Sequence, residues 1–205
     1  MNRLTRVLAA APLALAIVAA TPVVAQDEPI EPRNTRGLPE ELQAIDDILV
    51  GGLLNDPTRL DWDFYGPLDR ETITDASIPG GGVAMRYDMR ERGQAYIGGA
   101  NIPLLARVRE GERITLGFYA RTVSAVTDDN KGKVRIRFQV DREPYPGFGD
   151  TVLDIGEEWA WYEVTTIADR DLRRYGIVAM QFGMARQTIE IGQAIVVTGT
   201  PTIIG

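Results

Sequence analysis

The residues of this chain that could do chemistry are carboxylates, arginines, glutamines and tyrosines, because it contains neither cysteine nor histidine. Without Cys there are no disulfides, no thiolate nucleophiles and no Cys-based zinc sites. Without His there is no Ser-His-Asp or Cys-His catalysis and hardly any zinc or copper chemistry. The carboxylate pairs that could serve a glycosidase are Asp141 with Glu143, and Asp154 with Glu157 and Glu158. None falls in a Glu-x-Asp-x-x-Glu strand, and 154–158 reads as a solvated turn before a strand. No Ser sits in a nucleophile elbow. The residues point to recognition without turnover.

The recognition candidates come from strand alternation. Five stretches, 114–121, 134–140, 159–164, 177–183 and 188–197, alternate apolar with polar or small residues. That period belongs to strands with one face in a core and the other outward. Ile114, Leu116, Phe118, Val134, Ile136, Phe138, Val140, Tyr162, Val164, Val178, Met180 and Phe182 then point inward. Tyr119, Arg121, Arg137, Gln139 and Gln181 point outward, with Arg135, Trp161 and Glu163. Flat aromatics suit the C–H faces of sugars, and forked donors and acceptors suit their hydroxyls. Gly117, Ala179 and Gly183 leave room for a groove. An ordinary solvated sheet face would use many of the same residue types. Arg121, Arg135 and Arg137 would also suit an acidic protein patch.

The rest of the chain frames these strands. Residues 2–6 are basic, 7–20 apolar, and Val23-Val24-Ala25 has the small residues of a cleavage site, which reads as an export signal over 1–25. Residues 26–52 read as a disordered leader through Gly37 followed by a short helix burying Leu42, Ile45 and Leu49. Residues 53–199 read as one sandwich domain and 200–205 as a tail. Short strands are expected at 72–75, 83–87 and 94–102, a tight turn at Gly80-Gly81-Gly82, and loops at 144–149 and 169–175. The sum is an all-β sandwich with a short N-terminal helix. A formal net charge of −7 disfavours nucleic acid and anionic membrane surfaces. The expected location is secreted or periplasmic, with no membrane insertion once the signal is removed.

The order of motifs adds a resemblance. Phe118-Tyr-Ala-Arg121, Trp159-x-x-Tyr162-x-Val164, Met180-Gln-Phe-Gly183 and Ile189-Glu-Ile-Gly192 resemble the CenC-type carbohydrate-binding modules, which are galactose-binding-like jelly rolls. Leu60-Asp-Trp62 with Gly66, and Gly80 to Ala84, fit the start of such a module. The resemblance implies a polysaccharide or oligosaccharide held across one sheet by Tyr119, Arg121, Arg137, Gln139 and Gln181. It implies Trp159 in a packing role and, as in many members, a structural calcium. Oxygen donors for an ion could come from Asp61, Asp63, Asp75 and Asp128-Asp129-Asn130, which lack EF-hand spacing. The competing reading is an envelope accessory domain that binds another protein.

Overall fold

The computed structural model describes residues 32–203. The export signal and the start of the leader lie outside the described residues. The fold is a jelly-roll β-sandwich of two five-stranded antiparallel sheets, with one short α-helix among the described residues. The helix is α1 (Glu40–Ile48). The strands are β1 (Asp63–Tyr65), β2 (Leu68–Thr74), β3 (Val83–Met89), β4 (Gly99–Pro103) and β5 (Arg113–Ala125). Then come β6 (Gly132–Val140), β7 (Gly147–Ile155), β8 (Ala160–Ile167), β9 (Gly176–Gln181) and β10 (Gln187–Thr198). One sheet has the order β1-β4-β9-β6-β7 and the other β2-β3-β10-β5-β8.

Alternation explains the core. Ile114, Leu116 and Phe118 of β5 face Val134, Ile136 and Phe138 of β6, all fully buried. Val178 and Met180 of β9, and Ile189, Ile191 and Val196 of β10, complete the same cluster. Each large side chain removed from water contributes about 1.5–3 kcal/mol before entropy is counted. Tyr87 and Phe182 stack at 5.0 Å, and Phe138 and Phe148 at 5.8 Å.

Three local expectations are corrected. The chain from Gly147 to Ile155 is a full edge strand, where the sequence reads as a loop to Gly149 and a turn from Asp154. Two glycines and Pro146 hide its start, although Phe148, Leu153 and Ile155 face the core. The 94–102 stretch divides into a 3-10 turn at Ala95–Ile97 and β4. In α1, Ile45 is exposed, and the inward stripe runs through Leu42, Asp46 and Leu49. Asp46 is buried because its carboxylate accepts the Leu53 N–H at 2.6 Å, holding the turn after the helix.

The flanks are bound to the sandwich. Arg33, expected in a disordered leader, donates through Nη2 to the Leu49 and Val50 carbonyls. Leu38, Leu53 and Val197 form a small cluster with Leu105 and Ile203. The tail covers the outer face of the second sheet: Thr115 Oγ1 donates to Thr200 O, and Ile203 N–H donates to Glu163.

Candidate functional site

The first sheet arranges its outward residues in rows. One row reads Tyr65, Gly99, Gln181, Arg135 and Val152. The next reads Asp63, Asn101, Ala179 and Arg137. A third reads Pro103, Ile177, Gln139 and Gly147. A small residue, Gly99 in the first row and Ala179 in the second, thus sits between longer ones. The result is a cleft of about 820 Å³ on the outer face of this sheet.

Its polar floor is held by the protein. Gln181 and Gln139 face outward yet are only 4% and 8% exposed. The Gln181 carbonyl oxygen accepts from Arg135 Nη1 at 3.2 Å. The same side chain lies against the Tyr65 phenol. Burial pushes that phenol's pKa up, and the Gln181 contact offsets part of the shift, so Tyr65 stays neutral. Arg137 Nη2 donates to Gly147 O at 3.0 Å. A Cβ at Gly147 would lie 2.5 Å from Gln139 Cβ and 2.9 Å from Arg137 Nε, so glycine there makes room for both side chains. A Cβ at Gly99 would lie 2.4 Å from Met180 O. Asn101 also lines the cleft, and its Oδ1 is buried without a protein partner.

Aromatic rings stand at the margins. Tyr65 comes from β1, Tyr96 from the 3-10 turn, and Tyr145 from the loop after β6. Tyr96 is 59% exposed and Tyr145 47%. Tyr145 has φ +55°, a left-handed conformation that a bulky residue seldom adopts. Its amide donates to Arg142 O at 2.7 Å.

The five residues expected together do not share a face. Arg137, Gln139 and Gln181 line the cleft. Tyr119 and Arg121 lie on β5, in the opposite sheet. Alternation tells inward from outward but not which sheet a strand joins. On that other face Tyr119 meets Trp161 edge-on at 4.8 Å, and Arg121 lies over the Trp159 ring at 5.2 Å. Arg121 and Arg86 both pair at 2.6 Å with Glu190, whose side chain is fully buried. Gly117 leaves no groove, because a Cβ there would lie 2.2 Å from the Trp161 ring. Gly183 is likewise closed, 2.3 Å from Gln94 O by the same construction.

Several of the acidic candidates have partners of their own. Asp61 bonds Arg59, which lowers its pKa, and Asp75 accepts from Ser77, with the same effect. Asp129 and Asp154 both take Lys133. Among the described residues no three Asp or Glu side chains converge as ion ligands. No described helix is long and apolar enough to cross a membrane.

No family model matches the sequence. No curated protein matches it either. Solved structures share the fold. An arabinose-bound GH51 α-L-arabinofuranosidase aligns with TM-score 0.58 at 12% identity, over 76% of this chain and 28% of that one. A CBM4 structure aligns with TM-score 0.52 at 20% identity, over 70% of this chain and 97% of that one. The CBM22-1–CBM22-2 tandem domain of Paenibacillus barcinonensis Xyn10C aligns with TM-score 0.51 at 11% identity, over 76% and 48%. The chain thus spans less than a third of the arabinofuranosidase and about half of the tandem domain. At these identities the likeness speaks for the fold.

Proposed function

We propose that this is an exported, non-catalytic carbohydrate-binding domain that holds a polysaccharide or oligosaccharide in the cleft of the first sheet. The observation that carries the reading is the cleft: about 820 Å³, bordered by Tyr65, Tyr96 and Tyr145 and floored by Gln139, Gln181, Asn101 and two arginines. Tyrosine rings stack on sugar faces, and the planar amides and guanidiniums offer fixed forks to ring hydroxyls. The kinship of fold with CBM4 and CBM22 modules supports the same reading. An envelope protein as partner has less support, because the aromatics border a concavity rather than a flat apolar patch.

The test is a titration of the domain with a panel of soluble polysaccharides, by calorimetry and affinity electrophoresis. The reading expects at least one ligand whose binding weakens in Tyr96→Ala and Gln181→Ala. Binding to no member of the panel, or unchanged binding in both variants, would remove the cleft as the site.

A further inference from the structure

We propose that Asp150 is an internal counter-ion that reserves the cleft for uncharged glycans. The proposal rests on the carbohydrate reading of the cleft. Arg135 and Arg137 lie two residues apart on β6 and project from the same face. Two guanidiniums held side by side repel each other and form a ready receptor for a carboxylate. In this domain the carboxylate is already present. Asp150 on the neighbouring β7 accepts from Arg135 Nη2 through Oδ1 and from Arg137 Nη1 through Oδ2. The opposite ends of the two guanidiniums are also held, by Gln181 Oε1 at 3.2 Å and by Gly147 O at 3.0 Å.

A uronic acid entering the cleft would find both guanidiniums already paired with Asp150, which is tethered in place and makes the bonds its carboxylate would make. It would also meet Asp63 and Asp141, both among the lining residues. The two guanidiniums are thus outnumbered by three carboxylates, in a chain of net charge −7. A neutral sugar meets no such opposition. It finds the arginines already oriented, with their charge compensated. Asp150 is not among the residues lining the cleft, so it is a positioning residue acting through Arg135 and Arg137.

The variant Asp150→Asn keeps the shape of the side chain and removes its charge. The wild-type domain and this variant are titrated with two neutral probes, cellohexaose and xylohexaose, and one acidic probe, hexagalacturonate, at low and high salt. The expected result is a gain of about tenfold or more in hexagalacturonate binding by Asp150→Asn, abolished at high salt. Binding of the neutral probes should fall by less than about threefold. Adding Arg137→Gln to Asp150→Asn should cancel the gain, and thermal unfolding of each variant checks that it is folded. A folded Asp150→Asn with no gain for the acid, or a wild type that prefers the acid, overturns the counter-ion role. If the wild type binds neither neutral probe while Asp150→Asn still gains the acid, the counter-ion role stands and carbohydrate binding by the cleft falls. If Asp150→Asn does not fold, Arg137→Gln alone decides: it should leave Asp150 in excess and weaken residual hexagalacturonate binding further, and stronger binding overturns the proposal.

Discussion

Gln181 and Arg135 face each other across the β9–β6 pair, and the Gln181 carbonyl oxygen accepts from Arg135 Nη1 at 3.2 Å. With Tyr65 beyond Gly99 on its other side, Gln181 is the centre of an outward-facing row spanning β1 to β6. Gln181→Ala removes one ligand contact and releases both neighbours. We expect about a tenfold loss of glycan affinity, near 1.4 kcal/mol, measured by calorimetry. A variant that binds as tightly as wild type would show that the row does not reach the ligand.

Tyr96 and Tyr145 are exposed and contribute little to the core. Tyr96→Ala and Tyr145→Ala should each weaken binding about three- to tenfold, the range of one aromatic contact. Unfolding midpoints should move little, since neither ring is packed inside. Unchanged affinity in both would leave the stacking role without support.

Tyr119 and Arg121 serve the opposite face. Tyr119→Ala should leave glycan affinity unchanged, and a clear loss would move the site to that sheet. Arg121→Ala should also bind normally yet lower stability by about 1–3 kcal/mol in denaturant melts. Glu190 would keep a buried carboxylate with only Arg86 to compensate it. Arg121→Lys should restore part of the loss, because it returns the charge without the Nε–H geometry.

Asp171 gives the fold a marker of acid sensitivity. Its carboxylate accepts the Glu110 N–H, Arg173 Nε and Arg107 Nη2, and these contacts, the backbone amide foremost, push its pKa down to about 2. The folded value lies below the unfolded one, so the stabilisation is complete above about pH 4 and is lost as pH falls from there toward 2. A carboxyl carbon titration by NMR should place the midpoint near 2. Asp171→Asn should flatten the stability profile in that window and lower stability above it, where the wild-type carboxylate is ionised.

Much of the sandwich is legible in the alternation of β5, β6, β8, β9 and β10, whose inward residues match the buried core. The cleft is less so. Gln139 and Gln181 are visible as outward positions, but β5 and β6 follow each other in the chain and join different sheets. That split separates Tyr119 and Arg121 from Arg137, and no periodicity encodes it. The aromatic border escapes for another reason. Tyr65 lies on a three-residue strand, Tyr96 on a single turn and Tyr145 in a loop, all too short to carry a period. Asp150 is hidden with β7, whose glycines imitate a loop. The signal that could have found Tyr145 is its neighbourhood, an aromatic between two prolines beside a predicted outward strand end.

The position of β10 bears on how the chain reaches this state. It is the last strand in sequence and the middle strand of its sheet, flanked by β3 and β5. Until it arrives, the β2–β3 hairpin and the β5–β8 pair share no edge within that sheet. Asn55 reinforces the closure, since its side chain bonds the Ala194 carbonyl and the Val196 amide across about 140 residues of chain. Such pairing requires closing the longest loops before it returns any contact energy, which places folding in the slow, millisecond-to-second class. The half-formed sheets would expose unpaired edges throughout that wait, so the interval before β10 docks is when wrong pairing with another chain competes most with folding.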